Sequence, residues 1–173
     1  IVDCKKNNLI GASIIIWTTT PWTMPGNRAV AFSDDIKYSE INIEKVSDSS
    51  LCKVNDRIVI ADKLISSVTF DCGIEEWKIL NSYQGSEFSG SILKHPLNSS
   101  GYNHDVPLLS AKFVTTDQGT GFVHIAPGHG SDDYYLGISN GIEVPETVLD
   151  DGKLKDDLPL FGGMHVLRDN KKI

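Results

Sequence analysis

The stretch WTTTPWTMPGNRAVAF, Trp17 to Phe32, leaves one apolar run and enters another. Before it, Leu9 to Trp17 is rich in isoleucine and reads as a short strand. After it, Arg28 to Phe32 reads as a second. Between them Thr18, Thr19, Thr20 and Thr23 concentrate hydroxyls and methyls in one short segment. Pro21 and Pro25 stiffen the connection. Such a surface can bond a polar group and still gauge aliphatic bulk. It equally suits a strand running into a proline turn, with hydroxyls bonded to their own backbone. No serine, cysteine or histidine lies beside it to complete an activated nucleophile. Composition leaves both readings open.

Outward from this stretch the chain is mostly short strands. Asp34-Asp35 marks a turn, and Tyr38 to Val46 alternates as a third strand. Asp56 to Ser66 reads as helical, with Ile58, Ala61, Leu64 and Ile65 on one side, against the stiffness of its Val and Ile. Trp77 to Leu80 is a short strand, Asn81 to Gly90 a polar turn, and Ser91 to Leu93 a new strand. Leu97 to Asp105 has the composition of an exposed connection, and Val106 to Phe113 reads as extended. Gly119 to Ala126, if extended, puts Phe122, His124 and Ala126 on one face. Pro127 to Gly130 is a turn. Ser131 is the N-cap candidate for a helix from Asp132 to about Ser139, stopped at Asn140-Gly141. Asp151-Gly152 is a hairpin-type turn. Evenly spaced βαβ units are missing, so the expected fold is a barrel-like, β-rich α+β domain. Residues 1–173 read as a single domain with linker-like ends near 1–8 and 166–173.

The 173 residues suffice for one good core, and 40% hydrophobic with 23% charged residues is a globular composition. No apolar run reaches membrane-spanning length, and no secretory signal opens the chain. A first residue of Ile reads as a piece excised from a longer protein. Cys4, Cys52 and Cys72 form no CxxC pair, which points to reduced thiols and a cytoplasmic location. The formal charge of -7 opposes a polyanion at long range. Any RNA contact needs a local basic patch or other domains.

The densest polar stretch is HIAPGHGSDD, His124 to Asp133. His124, His129, Asp132 and Asp133 are metal-binding residue types, but their spacing matches no zinc signature. Asp132 and Asp133 fall in the first turn of the expected helix, where the dipole favours ionised carboxylates suited to holding a cation such as a substrate amine. Asp132 reads equally as a helix-start residue, and His124 as a core histidine bonded to a carbonyl. GTGFVH lacks the third glycine of a dinucleotide loop. Gly119 and Gly121 instead permit a close approach of the chain or of a ligand.

WTTTPWTMPGNRAV, Trp17 to Val30, and GTGFVHIAPGHGSDDY, Gly119 to Tyr134, together resemble the two signature regions of the editing domain of bacterial-type isoleucyl-tRNA synthetase. KHPL at Lys94 to Leu97 and LPLFGGMHV near the end fit the same order, so the resemblance spans essentially the whole chain. Met24 stands where leucine is usual and Gly26 where alanine is usual. The resemblance implies hydrolytic proofreading of valine misattached to tRNA(Ile), with valyl-adenylate as a further candidate substrate and isoleucyl-tRNA(Ile) spared. It implies catalytic roles for Thr20, Thr23 and Asp133, the last anchoring the α-amino group. His124 sizes the side chain, and Thr18, Thr19, Trp22 and Asp132 complete the substrate-binding set. It implies no cofactor and no metal. The implied partners are the tRNA(Ile) acceptor end and the remainder of a parent synthetase, with the domain itself a monomer. Three rival readings stand beside it: a noncatalytic module binding the tRNA acceptor end, a metal-dependent hydrolase built on His124, His129, Asp132 and Asp133, and a purely structural reading in which both motifs are turns.

Overall fold

The computed structural model describes residues 1–173. Eight strands and two α-helices follow the order β1 (Ser13–Ile14), β2 (Ala29–Phe32), β3 (Lys37–Val46), β4 (Arg57–Ala61), α1 (Ile65–Asp71), β5 (Ile74–Gln84), β6 (Ile92–Lys94), β7 (Asp105–Ser110), β8 (Val123–Ile125) and α2 (Ser131–Ser139). The strands form two four-stranded sheets, ordered β1-β4-β3-β5 and β6-β7-β2-β8. The fold is mixed α+β, as expected, but neither sheet closes, so the barrel-like expectation is wrong. Closure requires the two edge strands to pair with each other. In the first sheet one edge is β1, only two residues long, and the other is β5. Most of β5 faces solvent, with Glu75, Glu76, Lys78 and Gln84 exposed along it. Charges on an exposed edge discourage further strand pairing.

The expected helix over Asp56 to Ser66 is the second correction. Its first half is β4, in which Ile58, Val59, Ile60 and Ala61 are all buried. A run of β-branched residues is stiff at χ1 and suits a central strand, and β4 lies between β1 and β3. A single 3-10 turn, Asp62–Leu64, then leads into α1. Only Ser13 and Ile14 of the expected first strand pair, in parallel with Ile58 and Val59. Trp77 to Leu80 is the middle of a strand more than twice that length, antiparallel to β3.

By contact density the chain divides into two compact units. The first comprises Ile1–Trp17, Ala31–Leu93 and Leu108–Val123, and the second Thr18–Val30, Lys94–Pro107 and His124–Ile173. An aromatic cluster fills the first. Phe88 meets Phe32, Tyr38, Tyr83 and Phe122 at ring separations of 5.2–6.0 Å. The buried Tyr38 hydroxyl donates to Gly121 O at 2.8 Å. Gly121 has φ +82, and a Cβ there would collide with the side chain of Ala61, so only glycine fits this close approach. The same unit holds a cavity of about 620 Å³ between Ile15–Trp17, one side of α1, and Asp117–Thr120.

The second unit has its own core of Tyr102, Leu154, Phe161 and Val166, with Trp22 and Leu97 packed against it. Tyr102 sits in the connection expected to be exposed. It is buried, and its hydroxyl donates to Pro159 O at 2.8 Å. The turn at Asp151-Gly152 is hairpin-like, closed by an antiparallel bridge from Val148 to Leu154. Helix α2 ends at Asn140 with Gly141 at φ +69, as its sequence dictates.

Candidate functional site

The threonine-rich segment folds into a tight turn within the second unit. Thr18 Oγ1 accepts the Thr20 amide at 3.0 Å and lies 3.2 Å from Thr20 Oγ1. Pro21–Gly26 is a 3-10 helix with Pro21 at its first position, where a missing N–H costs nothing. Thr19 and Thr20 are exposed, whereas Thr23 is buried. The Thr20 carbonyl accepts both the Thr23 amide, at 3.0 Å, and the Thr23 hydroxyl, at 2.8 Å.

That hydroxyl leads to the second signature stretch. His124, on β8, places Nε2 3.0 Å from Thr23 Oγ1, and its Nδ1 lies 2.6 Å from Asn27 Nδ2. The proton positions follow from the partners. Asn27 Nδ2 also lies 2.9 Å from the Ala29 carbonyl, which only accepts, so this atom is the amide nitrogen. It therefore donates to His124 Nδ1, which leaves the imidazole proton on Nε2, donated to Thr23 Oγ1. The Thr23 hydroxyl in turn donates to Thr20 O. The chain Asn27, His124, Thr23, Thr20 is satisfied with a single direction and a neutral ring. Burial, with His95 and His129 nearby, pushes the His124 imidazole down to about 4. A backbone bond from the Arg28 amide to Ile125 O, 2.9 Å, fixes β8 beside Asn27.

Asp133 is reached through the end of β8. Its Oδ2 accepts the Ala126 amide at 2.8 Å, which folds the first turn of α2 back onto the strand. The dipole argument favours a readily ionised carboxyl here. Instead burial raises its pKa, outweighing the Ala126 bond, and the neighbouring Asp132 carboxylate raises it further. No cation is among the groups acting on it. Asp132 itself is exposed.

His129 packs edge-on to Trp22, ring centres 5.3 Å apart, and its Nε2 lies 2.7 Å from the buried Thr147 hydroxyl. Gly26 lies against this ring, where a Cβ would stand 3.2 Å from His129 Cδ2. Glycine at this position gives the tethered histidine room that a methyl group would crowd. The metal reading fails on geometry. No group of three histidine, cysteine or acidic side chains in the chain could hold an ion. Both His124 nitrogens are engaged, and His129 Nε2 is turned to Thr147.

Thr20, Thr23 and His124 are thus joined by hydrogen bonds, and Asp133 attaches two residues beyond His124. Thr18 braces Thr20, Trp22 braces His129, and no hydrogen bond engages the exposed Thr19 hydroxyl. The sequence reading passed over Asn27, buried at 2% exposure inside the opening stretch. An asparagine directly after Pro-Gly, ahead of an apolar strand, is the only signal for it. It also passed over His95 and His104, which bond to the Met24 and Asn27 carbonyls. The 620 Å³ cavity belongs to the other unit, and none of these site residues lines it.

No protein-family model matches the chain. It is 44% identical over 169 residues to the isoleucine--tRNA ligase of Pelagibacter ubique, covering 96% of this chain and 18% of that protein. It is 42% identical over 160 residues to the isoleucine--tRNA ligase of Gluconobacter oxydans, covering 92% of this chain and 17% of that one. The chain therefore spans less than a fifth of the length of these curated relatives. Among solved structures its fold resembles GlLeuRS-CP1, with TM-score 0.58 and 20% identity over 80% of this chain and 54% of that one. It also resembles the editing domain of P.falciparum cytosolic leucyl-tRNA synthetase, with TM-score 0.55 and 17% identity over 70% of this chain and 43% of that one. By sequence the chain is homologous to a segment of bacterial isoleucine--tRNA ligases, and by fold it resembles the CP1 and editing domains of leucyl-tRNA synthetases.

Proposed function

We propose that this chain hydrolyses the ester joining valine to tRNA(Ile) and spares the isoleucyl ester. One methylene changes binding by only ~1–3 kcal/mol, a limit for which aminoacyl-tRNA synthetases are the usual illustration, so faithful charging calls for a second sieve. The observation that carries the reading is His124, half-buried, neutral, and held at both ring nitrogens. Such a ring cannot rotate away from a bulkier side chain without breaking two hydrogen bonds. It suits a steric wall that admits valine and rejects isoleucine. With its Nδ1 lone pair bound to Asn27 and its pKa low, it is poorly suited to act as a general base.

Asp133 receives the substrate ammonium. Its partly buried carboxyl has no cation of its own, and an ammonium beside it favours the ionised form that burial disfavours. That contact anchors the α-carbon, and with it the ester carbonyl. A water attacks the carbonyl carbon, the bond to the terminal ribose oxygen breaks, and that oxygen takes up a proton. The products are valine and uncharged tRNA. The exposed Thr20 hydroxyl orients the water or bonds the developing charge. Thr23, whose proton is committed to Thr20 O, serves as the post that holds His124. Valyl-adenylate presents the same aminoacyl group to these residues and is the second substrate of this reading. The tRNA(Ile) acceptor end and the remaining parts of a synthetase are the partners.

The test is to mix the protein with valyl-tRNA(Ile) and isoleucyl-tRNA(Ile) and compare release rates. Faster valine release is expected. Equal rates, or none, would reject the reading. In His124→Ala, release of isoleucine is expected to rise, because the wall is gone.

A further inference from the structure

We infer that His95 and His104 are positioning residues for this site: they hold the backbone on both sides of Asn27, and Asn27 fixes the tautomer of His124. Its catalytic consequence rests on the editing reading above, but its structural content does not.

His95 follows β6 and is buried at 2% exposure. Its Nδ1 accepts the Leu97 amide at 3.1 Å, so its proton is on Nε2, which donates to Met24 O at 2.9 Å. The same Met24 carbonyl accepts the Asn27 amide at 3.0 Å. The His95 ring stacks on Tyr102, centres 4.8 Å apart at 22°, which fixes its plane. His104 works from the other side. Its Nε2 lies 2.8 Å from Asn27 O, an atom that only accepts, so this nitrogen also carries its proton. Arg28 Nη1, 3.2 Å from that nitrogen, is then a packing neighbour and donates to Asn27 O itself at 2.7 Å. Asn27 is therefore held at its amide through Met24 and at its carbonyl by His104, and its side chain reaches His124.

A hydrogen bond of 2.6 Å to His124 leaves little freedom, and a shift of a few tenths of an ångström at Asn27 reaches the wall directly. His95 and His104 bond the backbone carbonyls of Met24 and Asn27. They act through another residue, which makes them distinct from Thr20, His124 and Asp133.

NMR of the protein labelled with nitrogen-15 at histidine reads the tautomers directly. His95, His104 and His124 are each expected to carry the proton on Nε2. A proton on Nδ1 of any of the three overturns the inference, without reference to activity. His104→Phe keeps a ring and removes the donor. It is expected to leave His124 without a single tautomer and to lower the ratio of valyl to isoleucyl ester cleavage about tenfold or more. His104→Gln, which keeps a donor amide, is expected to recover much of that ratio. His95→Phe is the parallel case, and where its burial prevents folding His104→Phe decides. A folded His104→Phe with an unchanged His124 spectrum, or an unchanged ratio, overturns the inference. If the unaltered protein cleaves neither ester, the editing reading fails while the tautomers still decide this one.

Discussion

Asn27 Nδ2 stands 2.6 Å from His124 Nδ1, joining two residues 97 positions apart in the chain. This bond fixes which His124 nitrogen carries the proton. Thr23 completes the arrangement at 3.0 Å on the other nitrogen.

Asn27→Ala removes the donor to His124 and to Ala29 O together. Leaving such buried acceptors unmade costs on the order of 1–3 kcal/mol. A lower urea midpoint is expected, together with faster cleavage of isoleucyl-tRNA(Ile). A variant as selective as the parent would show that the tautomer of His124 is irrelevant to sizing.

Asp133→Asn keeps an oxygen to accept the Ala126 amide and removes the charge. Its thermal midpoint is expected to stay within a few degrees of the parent. Valyl-tRNA(Ile) cleavage is expected to fall roughly a hundredfold, chiefly through lost orientation of the ester. Deacylation kinetics at saturating substrate check this, and undiminished turnover would remove the ammonium-anchoring role.

Stability should fall on mild acidification. His95, His104, His124 and His129 all have pKa values lowered chiefly by burial, so the folded protein resists protons that the unfolded chain accepts. For His124 the window runs from its ordinary 6.5 down to about 4. Across it the unfolded state binds more protons, so stability rises with pH. His124 alone accounts for on the order of 2 kcal/mol between pH 7.5 and 5. Asp133, raised from 3.8, has the opposite sign: its contribution is present at low pH and is lost as pH rises through its folded value. Urea unfolding at the two pH values measures the balance, and a midpoint no lower at pH 5 would contradict it.

Glu40 tests the first unit. It is fully buried on β3, where Oε2 accepts Asn81 Nδ2 at 2.9 Å and the Tyr83 hydroxyl at 3.0 Å. Its Oε1 faces Arg57 Nη1 at 3.2 Å without hydrogen-bond alignment, while Arg57 donates to the carbonyls of Asn8 and Ile10. Glu40→Ala removes the acceptor of Asn81 and Tyr83 and the counter-charge of Arg57, and about 1–3 kcal/mol of stability should be lost. Calorimetry reads this directly. A loss below 1 kcal/mol would mean that water replaces the carboxylate freely.

Local rules read much of this chain correctly. Strands β2 and β3, the turn at Pro127–Gly130, and the stop of α2 at Asn140-Gly141 lie close to where alternation and cap chemistry put them. The errors share a physical cause. Ile58 to Ala61 carries apolar spacing compatible with a helix, and its burial between β1 and β3 made it a strand. Strand β5 is polar for most of its length, so nothing in its own sequence announces a strand of that extent. Its pairing with β3 does. Tyr102 lies in a stretch of loop composition and is buried by contacts with Leu154, Phe161 and Val166, far along the chain.

By itself the sequence determined the α+β class, the two signature stretches and the residue types that face a substrate in the proposed reading. Those are properties of short segments, where spacing and side-chain chemistry act locally. Only the tertiary structure decided that the sheets stay open and that burial raises the Asp133 pKa against the helix dipole. It alone decided which His124 nitrogen holds the proton. Edge pairing, desolvation and hydrogen-bond direction each depend on partners that the chain brings together only on folding. Asn27, His95 and His104 could be named only once those partners were in place.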